Sequence, residues 1–244
     1  MKLIIGHLYP DLMNLYADRG NIICLQQRAR WRGIEVEVVP LGLGDRIDVG
    51  AIDLFFIGGG QDKEQRMAAE DLARIKGGAI REAIEDGAVA LAICGGFQLF
   101  GHYYRPAEGP ELPGIGVFDA ITIHKGPSAP RCIGNIVVEW EGGMLVGFEN
   151  HGGRTYLGPG CRPLGRVIMG HGNNSEDGTE GAIYRHAYGT YLHGALLPKN
   201  PHFADHLLHL ALARRYGQVE LAPLDDGLEM LAHRAAIKRA RQER

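Results

Sequence analysis

Cys94 stands in the run LAICGGFQLFG (91–101), where a short apolar stretch meets two glycines and a helical pattern begins at once. A strand delivering cysteine to a tight turn ahead of a helix is the thiol counterpart of a nucleophile elbow. The turn pushes the sulfur outward, and Gly95 and Gly96 tolerate a strained backbone and close approach. The helix N-terminus turns partial positive charge toward a thiolate. The Gly95 amide is placed to donate to an oxygen that gains charge during attack on a carbonyl. The chemistry implied is nucleophilic catalysis at a carbonyl carbon.

A thiol nucleophile needs a base. Of the 11 histidines, His193 has the best setting: in GTYLHGALLP an apolar strand ends at the imidazole and Gly194 opens a loop. His151, in ENHGGRT, is the second candidate, and His7, His124, His171 and His186 have weaker contexts. The Gly58-Gly59-Gly60 loop presents consecutive backbone amides, which can form an anion nest. No Gly-Lys-Ser/Thr follows it and no GxGxxG follows the first strand, so it is neither a P-loop nor a dinucleotide fingerprint. A second oxyanion donor for chemistry at Cys94 is its better use. The remaining cysteines, Cys24, Cys132 and Cys161, lack this context, form no CxxC pair and read as structural. No metal site is expected.

These residues need a scaffold that brings them together. Lys2–His7, Val36–Leu41, Leu54–Ile57 and Val89–Ile93 read as short apolar strands. Between them, 14–32, 62–76 and 79–86 read as helices, with Gly33 stopping the first, and 95–103 starts another. Apolar strands alternating with helices make a parallel sheet covered on both faces, with functional loops at the strands' carboxyl ends. The Gly58–Gly60 loop and Cys94 both fall there. In the second half, 115–123, 132–140, 145–149, 167–169 and 182–192 read as strands with little helix between, an antiparallel or mixed extension of the same sheet. Closing helices are expected over 201–216 and about 224–243. The whole chain, 1–244, is expected to form one domain.

With 45% hydrophobic and 23% charged residues, the chain can bury a sizeable core, and its net charge of -3 offers no bulk attraction for nucleic acid. The start, MKLIIGHLYPDLMN, is a strand rather than a signal peptide, and no apolar run reaches the roughly 20 residues that span a bilayer. A cytoplasmic, reducing setting without membrane insertion is expected. The basic segment His233–Arg244 reads as a solvated helix or as a docking surface for an acidic partner.

The runs FFIGGG (55–60), AICGGFQLFG (92–101) and YLHG (191–194) resemble class I glutamine amidotransferases of the cobyric acid synthase type. NLYADRGNI (14–22), GGGQDKEQ (58–65), VGFENHGGRT (146–155), GHGNN (170–174) and GTYLHGALLPKNP (189–201) extend the resemblance over about residues 3–215, toward the glutaminase subunits of peptidoglycan precursor amidation. The resemblance implies a flavodoxin-like, three-layer α/β fold. It implies that Cys94 attacks the glutamine carboxamide, that a thioester forms, and that His193 acts as base and then acid. It places Gly59 or Gly60 with Gly95 in the oxyanion hole, Gln98 near bound glutamine, and Arg131 on the glutamine α-carboxylate. The last rests on HKGPSAPRC, a variable, proline-containing loop.

Many class I amidotransferases carry a glutamate two residues after the histidine; here that position is Ala195. The expectation is therefore an incomplete triad within the chain, with another acid, such as one from a partner, orienting His193. The resemblance also implies a Mur-ligase-like synthetase as heterodimer partner. ATP would be bound on that partner, which would activate the α-carboxyl of D-glutamate in the lipid II stem peptide. The competing readings are a stand-alone cysteine hydrolase (peptidase or γ-glutamyl hydrolase), a cobyrinic-acid-type amidotransferase, and a non-catalytic binding module.

Overall fold

The computed structural model describes residues 1–242. In chain order the elements are β1 (Lys2–Leu8), α1 (Arg19–Arg30), β2 (Glu35–Leu41), β3 (Leu54–Ile57), α2 (Asp62–Asp71), α3 (Gly77–Glu85), β4 (Val89–Ile93) and α4 (Gly95–Phe100). There follow β5 (Tyr103–Arg105), β6 (Leu112–Pro113), β7 (Ala120–His124), β8 (Cys132–Trp140), β9 (Gly143–His151) and β10 (Gly153–Leu157). The chain closes with β11 (Gly165–Met169), β12 (Thr179–Glu180), β13 (Ala182–Tyr184), β14 (Ala187–Thr190), α5 (Pro201–Tyr216) and α6 (Gly227–Gln242).

Six strands form the central sheet in the order β13-β14-β4-β3-β1-β2. All neighbours are parallel except the β13–β14 hairpin at one edge. β3 and β4 are buried along their whole length, as strands covered on both faces must be. Alternate side chains sort to opposite faces. Phe55, Ile57, Ala90 and Ala92 join one core with Ala68, Leu72, Ile80 and Ala83 of the α2–α3 segment. Leu54, Phe56, Leu91 and Ile93 join the other with Ile22 and Leu25 of α1 and Phe203 and Leu207 of α5. This is the expected three-layer α/β arrangement, with a mostly parallel sheet and an antiparallel edge.

The rest of the second half departs from expectation. It does not prolong the central sheet but folds into two separate four-stranded sheets, β10-β7-β5-β6 and β12-β11-β8-β9. The strand expected over 115–123 is confined to β7, and 182–192 is broken into β13 and β14 at Arg185, whose φ of 49° makes a left-handed turn. The helix expected from Gly95 to Tyr103 stops at Phe100, because the Gly101 amide turns back to Gln98 and the chain extends into β5.

The largest local correction lies in 14–32, expected as one helix. A single 3-10 turn at Leu15–Ala17 comes first, with Tyr16 in the left-handed region (φ 51°, ψ 34°), and α1 starts only at Arg19. The amide of Leu15 donates to the Gly59 carbonyl at 3.1 Å, which binds this turn to the loop after β3. At the C-terminus, α6 begins at Gly227 rather than 224; Glu243, the expected end, lies outside the described residues. No helix among the described residues is long and apolar enough to cross a membrane.

Candidate active site

Two strand ends and one turn build the site. β4 ends at Ile93 and delivers Cys94 with φ 50° and ψ -105°, strain that a non-glycine residue tolerates only where its surroundings hold it. Those surroundings are hydrogen bonds: the Cys94 amide donates to the Thr190 carbonyl at 2.8 Å, and the Gly96 amide donates to the Gly58 carbonyl at 3.1 Å. A Cβ on Gly96 would lie 2.7 Å from Ile57 Cγ2, so the elbow needs glycine there to close on β3. The thiol is partly exposed, whereas Cys132 is buried. Burial pushes the thiols of Cys24 and Cys161 up, to about 12 and about 11, which suits inert side chains.

His193 follows β14. Its amide donates to the Phe148 carbonyl of β9 at 2.8 Å and its carbonyl accepts from the Phe148 amide at 3.3 Å, so the backbone is clamped on both sides. The preceding segment is held from inside by Glu180, whose Oε1 accepts from Thr190 Oγ1 at 2.6 Å and from the Tyr191 amide at 2.7 Å. The imidazole is fully buried between the Gly59 backbone and the edge-on ring of Tyr16, whose centroid is 5.0 Å away. A Cβ on Gly59 would sit 2.9 Å from His193 Cε1.

An acid of the same chain meets this ring. Asp18, fully buried at the start of α1, places Oδ1 3.3 Å from His193 Nδ1, and its Oδ2 accepts the Gly59 amide at 2.8 Å. Asp18 holds the N-cap position yet makes no side-chain cap, so its carboxylate is turned into the site instead. The expectation of an incomplete triad within the chain is thereby corrected: a different acid does meet His193, and it is Asp18 of this chain rather than one from a partner. The signal was present in NLYADRGNI, but a continuous helical reading of 14–32 put Asp18 on a helix flank.

Burial works most strongly against a charged imidazole at His193. The negative charge of Cys94 and the Asp18 carboxylate outweigh it and push the pKa up to about 10. With Asp18 on Nδ1, the other nitrogen, Nε2, is buried and makes no hydrogen bond among the described residues. It is the free position through which a proton can be exchanged with the thiol or a leaving group.

His151, the second candidate base, is differently committed. Its Nδ1 donates to the Gly153 carbonyl at 2.8 Å, its Nε2 lies 3.7 Å from the buried Glu149 carboxylate, and its ring stacks on Tyr191 at 3.6 Å. Burial lowers its pKa. Its Nε2, like that of His193, makes no hydrogen bond among the described residues, but no carboxylate holds its Nδ1, and it lines the cleft wall.

The glycine loops also resolve. The Gly59 amide is taken by Asp18, and Gly60 stands beside Gly95: a Cβ on Gly95 would lie 3.1 Å from the Gly60 nitrogen. Gln98 is buried beside them, its Nε2 donating to Tyr191 Oη at 3.2 Å and its Oε1 accepting from Gln65 Nε2 at 2.8 Å. Arg131 stands at the rim, exposed, with Nε and Nη2 donating to Asn150 Oδ1 at 3.1 and 3.0 Å. One cleft is lined by Cys94, Gly60, Gly95, Gln98 and Arg131, together with Tyr16, Asp62, Gln65, Tyr104 and Asn150, which the motifs did not single out for a role. Its volume is about 80 Å³. Such an array can bring a thiol, a base held by an acid, and two backbone donors to bear on one carbonyl.

Residues 4–201 match the model of the CobB/CobQ-like glutamine amidotransferase domain, and the chain belongs to that family. It is an enzyme of the glutamine amidotransferase class. Over 244 residues it is 45% identical to the lipid II isoglutaminyl synthase (glutamine-hydrolyzing) subunit GatD of Staphylococcus aureus, covering all of this chain and 98% of that protein. The subunit of the same name in Streptococcus pneumoniae is 42% identical, covering 92% of this chain and 86% of that protein. In fold, the chain resembles a solved PurLQS structure from Thermotoga maritima at a TM-score of 0.58 and 17% identity, over 87% of this chain and 98% of that one.

Proposed function

We propose that this chain is the glutaminase subunit of a lipid II isoglutaminyl synthase. It hydrolyses L-glutamine to glutamate and ammonia and passes the ammonia to a Mur-ligase-like, MurT-like synthetase. The observation that carries the reading is the buried Asp18–His193 pair beside a strained, partly exposed Cys94, in a chain similar along its whole length to the GatD subunits.

Cys94 Sγ attacks the carboxamide carbon of glutamine with its proton already held on His193 Nε2. The oxygen takes up negative charge against the amides of Gly60 and Gly95. The carbon–nitrogen bond breaks, His193 returns the proton to the leaving nitrogen, and ammonia departs, leaving a glutamyl thioester on Cys94. Water, deprotonated by the same imidazole, then adds to the thioester and releases glutamate and the thiol. Asp18 keeps Nδ1 protonated and the ring aimed, so the chain alone is competent for hydrolysis. Arg131 and Gln98 hold the substrate.

Amide transfer needs an activated acceptor carboxylate, so ATP is assigned to the synthetase, as is the D-glutamate acceptor. The test is to mix the purified chain with a MurT-like protein from the same cell, ATP, lipid II and ¹⁵N-amide glutamine. Label in the D-glutamate α-amide supports the assignment. Glutamate release with no label in lipid II would keep the glutaminase and remove the acceptor.

A further inference from the structure

The cleft beside Cys94 holds one cation and one anion. Arg131 lines one part of it, next to Gly152, where a built Cβ would stand 3.3 Å from Arg131 Nη1. Asp62, the first residue of α2, lines another part. The two charges do not pair with each other. Arg131 directs Nε and Nη2 to Asn150, and the exposed Asp62 carboxylate makes no hydrogen bond and no ion pair among the described residues. Tyr104 lines the same cleft. Its ionisation, raised to about 12 chiefly by burial, is further opposed by the charges of Asp62 and Cys94 and eased by that of Arg131. Asp62, Arg131 and the Cys94 thiol therefore line one small space.

We propose that Asp62 is a substrate-binding residue that receives the α-ammonium group of free glutamine, opposite the α-carboxylate on Arg131. This deepens the glutaminase reading and rests on it. A free amino acid carries both charges on one carbon, and a cleft lined by an unpaired carboxylate and a guanidinium complements both. Acylation of the α-nitrogen, as in a peptide, removes the positive charge and leaves Asp62 facing an uncharged amide, so the pair also selects against peptidyl glutamine.

The test compares L-glutamine with glutaramate, the same carboxamide acid lacking the α-amino group, on the full chain and on Asp62→Asn, with Asp62→Ala as a second variant. For Asp62→Asn, KM for glutamine should rise about tenfold with kcat within about twofold of wild type, the loss of one partly solvated ion pair. Its kcat/KM for glutaramate should stay near the wild-type value, so the preference for glutamine collapses by about tenfold. An unchanged preference, or an equal fall for both substrates, overturns the assignment while leaving the glutaminase intact. Wild-type chain that does not hydrolyse glutamine overturns both readings.

Discussion

Asp18 Oδ1 lies 3.3 Å from His193 Nδ1, and neither side chain is exposed to solvent. The pair joins the start of α1 to the end of β14 across 175 residues, and Asp18 Oδ2 ties the same carboxylate to the Gly59 amide. One acid thus orients the base and fixes the glycine loop. Asp18→Asn should keep the fold, because the carboxamide still offers an oxygen, but it no longer favours the Nδ1–H tautomer. Glutaminase kcat should fall by about 10²–10⁴-fold with KM changed little. Steady-state glutamate release on the isolated chain checks this, and a variant within about threefold of wild type would place the orienting acid elsewhere.

Arg131 makes its hydrogen bonds to Asn150 at the cleft rim. Removing it should weaken glutamine binding without altering the chemical step. For Arg131→Ala, KM should rise by about 10–100-fold and kcat stay within a fewfold, since one charge-assisted contact contributes about 1.5–3 kcal/mol. Arg131→Lys should recover part of the loss, because the charge returns without the planar fork. A fall in kcat at unchanged KM would instead tie Arg131 to the reaction itself.

Glu180 gives the site a pH dependence of stability. Burial raises its pKa to about 7 from an ordinary carboxyl value of 4.5, against the hydrogen bonds from Thr190 and Tyr191. The folded form therefore holds a proton that the unfolded chain releases. The resulting stabilisation is fully present below about pH 4.5 and is lost as pH rises toward 7. Glu180→Gln, which mimics the protonated acid, should flatten the slope of unfolding free energy over that window, by about 1–3 kcal/mol across it. Urea unfolding at several pH values measures it, and identical slopes in the two proteins would assign the proton to another group.

Much of the site was legible because its motifs are continuous in the chain. Cys94 with its two glycines, the Gly58–Gly60 loop and His193 before Gly194 each announce a strand end and a turn within a few residues; in the structure Cys94, Gly60 and Gly95 line one cleft, and His193 is buried against Gly59. Asp18 was hidden for a physical reason. Periodicity sees Leu15, Ile22 and Leu25 as one helical face, but nothing in it reports the left-handed Tyr16 that ends the first turn and swings Asp18 inward. The split of the second half into two extra sheets was hidden likewise, since alternation shows that a strand exists but not which neighbour it pairs with. His151 and His193 look alike as histidines near glycine; only the stack on Tyr191 and the contact with Asp18 separate them.

The central claim is that the Cys94 sulfur is the group that opens the glutamine amide. Glutamate formed from L-glutamine by the purified chain, wild type against Cys94→Ala, tests it most directly. Loss of at least about 10³-fold in rate, with an unchanged unfolding midpoint, is the expected result. A Cys94→Ala chain that still releases glutamate at a rate near wild type would contradict the account.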